Sequence, residues 1–216
     1  VMKLESLARM NGIESGGAHN ALFDANLTKL VLEKIYKEQN ITWRSAMMTG
    51  SREEVENFSK NELMFSLNEY FYGKSKLYLV APLYHEHMLH PIYKWVQAFD
   101  LRFNPKIYFD LPLDELKAEI KKTPKFIRTI RSNKAPVLLH SDYASKAEPY
   151  SVMTKEQLSE RAKLIKGNKD FCARVSLALA EIAQEKRDTG DQSDITPEES
   201  IYVKFVDNKE TPKMEK

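Results

Sequence analysis

The sequence has a single cysteine, Cys172, among 216 residues. That excludes an internal disulfide and a cysteine-based zinc site. It fits a reducing compartment, so a cytoplasmic location is expected. Long apolar runs are missing too. Val137–Leu139 with its flanks falls far short of the roughly 20 residues that a membrane-crossing helix needs, and no membrane partner is expected. Net charge is nearly absent, +2 from 33 basic and 31 acidic residues. Histone-like coating of DNA is thereby excluded, whereas a local basic patch is not. There is no internal repeat and no low-complexity tract. What is present is ample core material: hydrophobic residues make up 42% and aromatic residues 10% of the chain. At this length that implies one to two domains rather than disorder.

Leu4–Met10 reads as a short helix ended by Asn11-Gly12. Asn20–Glu38 reads as a strong helix without glycine or proline. Asn40–Gly50 reads as a linker, and Ser51–Ser59 as a helix with Ser51 as cap and Glu54 three residues on. The texture then changes. Leu63–Phe71 and Lys76–Val80 are aromatic and β-branched runs split by Tyr72-Gly73-Lys74-Ser75, the pattern of a hairpin. Further strands are expected at Ile92–Phe99, Lys106–Phe109, Lys125–Arg131 and Pro136–His140, with a helix at Leu113–Lys122. Helices return at Thr154–Ile165 and Asn168–Lys186, and Ile201–Val206 reads as a strand or packed segment. The chain opens on Val1 and is helix-like by Lys3, so a piece of a longer protein is expected.

On a helical wheel of Asn20–Glu38, Phe23, Leu27, Leu30, Val31 and Ile35 form one apolar stripe, and Asp24 falls inside it. An ionised carboxylate there is costly unless an arginine, free backbone amides or a metal ion compensates it. A helix-start aspartate bonding free N–H groups is the plainer reading. His19 precedes the helix on the loop leaving Gly16-Gly17, from which it can reach the volume that Asp24 faces. A histidine beside a buried acid can act as a general base near neutral pH. A solvent-facing loop histidine is the alternative.

The segment Lys3-Leu4-Glu5-Ser6-Leu7-Ala8-Arg9-Met10-Asn11-Gly12-Ile13, followed by Ala18-His19-Asn20-Ala21-Leu22-Phe23-Asp24-Ala25, resembles the last motif of the DEDDh 3′–5′ exonucleases, within them bacterial exodeoxyribonuclease I. Leu79-Val80-Ala81-Pro82-Leu83, Asp100-Leu101 and Asn133-Lys134-Ala135-Pro136-Val137-Leu138 resemble landmarks of that family's SH3-like domain, in the same order. The resemblance implies an α+β chain: the C-terminal helices of an RNase H-like exonuclease domain (residues 1–39), an SH3-like β domain with packed helices (40–195), and the start of a truncated C-terminal region (196–216). It implies hydrolysis of a terminal phosphodiester with two metal ions, Mg²⁺ as the ion, Asp24 as the fourth carboxylate and His19 as the base. Asn20 replaces an acid that is no metal ligand. Lys3 stands where relatives carry an arginine near the substrate, which keeps the charge and loses the bidentate geometry. The D-x-E pair and the middle aspartate of the family have no counterpart here. The chain by itself is therefore expected to be inactive.

Lys117–Lys134 holds seven basic residues against one acid, with Phe126 and Ile127 among them. Basic residues with a nearby ring suit single-stranded nucleic acid, although such runs are often solvated faces. The resemblance singles out Arg128, Arg131, Asn133 and Lys134 as contacts to single-stranded DNA. Lys117 and Lys121 are left as surface residues. His85-Glu86-His87 with His90 lacks the H-E-x-x-H spacing and is read as a surface loop. Tyr70, Phe71, Tyr72, Tyr78 and Tyr84 are read as core rather than as a stacking platform, and Cys172 as core.

The leading expectation is therefore part of a metal-dependent, single-stranded-DNA-specific 3′–5′ exodeoxyribonuclease of DNA repair. Its expected partners are single-stranded DNA and single-strand-binding protein, and its expected state is a monomer. The alternatives are a non-catalytic nucleic-acid-binding module, or another DEDDh exonuclease acting on RNA.

Overall fold

A computed structural model of the chain describes residues 3–14, 20–38, 49–71 and 74–188. Helix α1, Leu4–Met10, ends at Asn11. Gly12 follows with φ +70°, a left-handed conformation that costs glycine little. Helix α2, Ala21–Glu38, starts at Asn20, whose Oδ1 accepts the Leu22 N–H at 3.0 Å. The two helices bury Ala8, Leu27 and Val31 against one another, with Leu4, Leu7, Ile13, Phe23 and Ile35 partly covered.

Helix α3, Arg52–Asn61, carries the capping box expected from Ser51 and Glu54. The sheet follows. Strand β1, Phe65–Phe71, forms a hairpin with β2, Lys74–Pro82, from Phe65↔Val80 to Phe71↔Lys74. Strand β3, Val96–Asp100, pairs with β2, and after helix α4, Leu113–Lys121, strand β4, Ile127–Ile130, pairs with β3. Strand β5, Val137–Leu139, returns to the free side of β1. The five strands run antiparallel in the order β4-β3-β2-β1-β5. Helices α5, Asp142–Ser145, α6, Lys155–Gly167, and α7, Lys169–Asp188, follow.

Successive strand side chains point to opposite faces, and here both faces are covered. Leu79, Ala81 and Phe99 pack with Leu116 and Ile120 of α4, Leu158, Ala162 and Ile165 of α6, and Phe171, Cys172 and Val175 of α7. Tyr78, Val80, Val96, Ala98, Ile130 and Leu138 pack on the other side with Phe65, Leu67 and Val55 of α3. Cys172 is fully buried, as its sequence setting implies, and burial pushes its thiol up to about 11.

Three expectations change. Lys106–Phe109 is no strand: Pro105–Ile107 is a tight 3₁₀ turn, begun by Asn104, whose Oδ1 accepts the Lys106 N–H at 3.2 Å. Pro105 has no N–H to give a ladder, and Tyr108 instead stacks on Phe126 at 4.1 Å. The strand expected from Ile92 begins only at Val96, because His90–Trp95 closes as a turn through Lys94 N–H to His90 O and His90 N–H to Trp95 O. On α2, Leu30 is exposed rather than part of the packed stripe. Helix α5 was not anticipated, and Ile201–Val206 and most of the Asn40–Gly50 linker lie outside the described residues. No helix among the described residues is long and apolar enough to cross a membrane.

Candidate nucleic-acid interface

Asp24 lies in the first turn of α2, half-buried, on the same side of the helix as Val31 and Ile35. The start of α2 is capped by Asn20, so the plainer role envisaged for Asp24 is taken by its neighbour. The Asp24 backbone is bonded, N–H to Asn20 O at 2.9 Å and C=O from Thr28 Oγ1 at 2.8 Å. Among the described residues no ion pair or hydrogen bond reaches its carboxylate. His19 lies outside the described residues. Lys3 is exposed at the N-cap of α1. Among the described residues no three His, Cys, Asp or Glu side chains come together to hold a metal ion. The described residues therefore do not make up a two-ion site.

The basic segment separates into three groups. Lys117 on α4 bonds Glu181 at 2.8 Å and Glu185 at 2.7 Å on α7, and Lys121 bonds Glu185 at 2.7 Å. These lysines clamp α4 to α7, and they hold the Glu185 carboxyl down to about 2.

Arg128 on β4 is held inside a polar knot. Asp100, fully buried at the end of β3, accepts from Arg102 Nε at 2.9 Å and Nη2 at 2.8 Å, and from the Tyr150 hydroxyl at 2.7 Å. Arg128 Nε and Nη2 approach the same carboxylate at 3.3 Å, and Nη1 lies 3.5 Å from Glu69. Its guanidinium sits 3.6 Å from the centre of the Tyr78 ring. Burial raises the Glu69 carboxyl above its ordinary range, against the opposing pull of Arg128. Burial, followed by the Asp100 charge, raises the Tyr150 phenol. Two guanidiniums thus meet two carboxylates, and little of the Arg128 charge is left for an outside ligand. Tyr78 is core, as expected, while Tyr70 is exposed.

Arg131, Asn133 and Lys134 form the third group, at the outer end of β4 and in the 3₁₀ turn Ser132–Lys134, with Asn133 and Lys134 exposed. Arg131 is half-buried, its guanidinium 5.0 Å from the centre of the Trp95 ring. Trp95 stacks on Tyr93 at 4.7 Å and 20°. Sequence reading passed over this pair. The strand register, which carries Val96↔Ile130 on to Trp95 opposite Arg131, brings ring and guanidinium together, and nothing local in the sequence signals that pairing.

His85–Glu86–His87 is an exposed 3₁₀ turn, in line with a surface loop. His90 departs from that reading. It is buried, and its Nδ1 accepts the N–H groups of Ile92 at 3.1 Å and Tyr93 at 3.3 Å. Burial, helped by the Lys94 and Arg187 charges, pushes it down to about 4, so it is neutral at pH 7.

No family model matches the sequence, and no curated protein matches it. Solved structures do match. Exonuclease I from Methylocaldum szegediense aligns with a TM-score of 0.61 at 20% identity, covering 83% of this chain and 40% of that one. E. coli exonuclease I in complex with a dA16 oligonucleotide aligns at 0.58 and 18%, covering 83% and 41%. An ExoI/SSB-Ct complex aligns at 0.59 and 18%, covering 82% and 40%. At such identities the likeness is one of fold. The chain has an exonuclease I-like fold, mixed helix and sheet built around a five-stranded antiparallel sheet, and spans about two fifths of the length of these structures.

Proposed function

We propose that the chain is part of a metal-dependent, single-stranded-DNA-specific 3′–5′ exodeoxyribonuclease of DNA repair. In this reading α1–α2 are the closing helices of an RNase H-like exonuclease domain (1–39). Residues 40–195 are an SH3-like domain that holds the strand, and 196–216 open a further region. The observation that carries it is the exonuclease I-like fold over 83% of the chain, taken together with the sequence motif and landmarks that resemble that family. Structures with that fold include complexes with dA16 and dT13 oligonucleotides, a zinc-bound ssDNA complex and the SSB-Ct complex, which supports single-stranded DNA and single-strand-binding protein as partners.

Asp24 is one ligand of a divalent-ion site, Mg²⁺ by expectation, and the remaining carboxylates lie outside this chain. Such ions stabilise charge at the scissile phosphodiester. His19 takes the proton from the attacking water, and Lys3 lies beside the substrate. Arg131, Asn133 and Lys134 meet the backbone of the single strand, and Arg128 supports them from within the sheet.

In the complete parent protein, Asp24→Asn should nearly abolish nucleotide release from a single-stranded 3′ end while leaving DNA binding in place. His19→Ala should slow release by roughly 10²–10⁴-fold, the scale of a lost general base. The 216-residue chain alone should release nothing. Full activity of the His19→Ala, Asp24→Asn parent overturns the assignment, as does turnover by the chain itself. Preference for an RNA end would move the protein to another DEDDh branch.

A further inference from the structure

The loop between β2 and β3 is held from several sides. His90 is buried beneath it and accepts two of its N–H groups. Arg52 of α3 donates Nη2 to Lys94 O at 3.0 Å. Lys94 itself sits at φ 57°, a left-handed conformation that costs a non-glycine residue about 1 kcal/mol or more and persists only where its surroundings enforce it. The result is a fixed presentation of two rings. Tyr93 and Trp95 stack on each other, Tyr93 is 37% exposed, and His90 backs it at 4.8 Å. Cations surround the pair: Arg131 over Trp95 at 5.0 Å, Arg187 of α7 over Tyr93 at 5.8 Å, and exposed Lys94 between the rings in sequence. A core has no use for an exposed tyrosine with an arginine over it, stacked on a tryptophan that carries another. Single-stranded nucleic acid has, because any base offers a flat π face while its phosphates seek positive charge.

We propose that the Tyr93–Trp95 pair is a base-stacking site for single-stranded nucleic acid, with Arg131, Lys94 and Arg187 meeting the flanking phosphates. The proposal rests on the single-strand reading above and adds the point where bases, rather than phosphates, are gripped. Stacking of this kind tolerates any base, so the site takes a strand without reading its sequence. The turn is already held by hydrogen bonds to His90 and from Arg52, so little ordering is needed when the strand arrives.

The test compares the affinity of the chain for oligothymidylate and for an abasic strand of equal length at low salt. The wild type should prefer the strand with bases by roughly 5- to 150-fold, the range of one stacked base. Tyr93→Leu keeps apolar volume and removes the π face. Tyr93→Leu with Trp95→Leu should collapse the preference towards unity and leave the salt slope unchanged. Trp95→Phe, which keeps a ring, should retain most of it. In a Trp43→Phe background Trp95 is the sole tryptophan, and its emission should be quenched by oligothymidylate and not by the abasic strand. Salt-dependent binding without any preference for bases overturns the stacking site alone. A preference that survives in the folded leucine double variant does the same. Failure of the wild type to bind either strand overturns both this site and the single-strand reading.

Discussion

The helical pair α1–α2 and the sheet domain are held together by different amounts of interaction. The pair buries Ala8, Leu27 and Val31, and leaves Leu22, Leu30 and Leu32 exposed. The sheet is covered on both faces, and its elements are tied by bonds of long sequence span. Arg161 of α6 reaches the carbonyls of Leu101, Arg102 and Phe103 at 2.8 to 3.3 Å. Arg174 of α7 reaches those of Phe109 and Leu111. Asp100 joins β3, β4 and Tyr150 in one knot. The proposed catalytic ligand, Asp24, therefore stands where the described residues provide few contacts. The proposed binding residues stand where they provide many. Among the described residues only α1 and α2 surround Asp24, whereas the binding loop is tied to α3 and to its own buried His90.

The largest effect is expected at the knot. Asp100→Ala would strand Arg102 and Arg128 without their buried counter-charge, at a cost on the order of 3–5 kcal/mol. Urea unfolding followed by a sheet-domain probe should show it. Leu27→Ala, in the helical pair, should leave that same transition unmoved. A shared shift would mean that the two regions unfold as one unit and would break the contrast.

The next effect is one of pH. His90 has a folded-state value of about 4, below the ordinary 6.5, so the folded state favours its neutral form. Its contribution is complete above pH 6.5 and is lost as pH falls towards 4, by at most about 3 kcal/mol. His90→Asn keeps an acceptor for the turn and removes the titration. The stability difference between the two proteins should shift across that interval and stay level above it. The smallest effect concerns local structure. Ser51→Ala removes the N-cap of α3 and should cost about 1 kcal/mol in the same unfolding experiment. If it also weakens the preference for bases, then α3, through Arg52, steadies the binding loop.

The sequence by itself determined what short-range chemistry decides. Asn11-Gly12 ends α1 because glycine takes the left-handed turn, Ser51 and Glu54 close a capping box, and apolar periodicity separates the β1–β2 hairpin from the long final helices. Local rules failed where a local partner competed: Asn104-Pro105 made a turn out of an expected strand. Only the tertiary structure decided which charges and rings are available. Lys117, Arg128 and Arg131 look alike along the chain. Folding sets the first against Glu181 and Glu185, the second against Asp100 and Glu69, and the third against Trp95. These partners lie 28 to 68 residues away in sequence at the knot and the α4–α7 clamp, brought there by strand register and helix packing. A charge on a surface and a charge neutralised within a sheet differ in what surrounds them, and that surrounding exists only once distant segments have met.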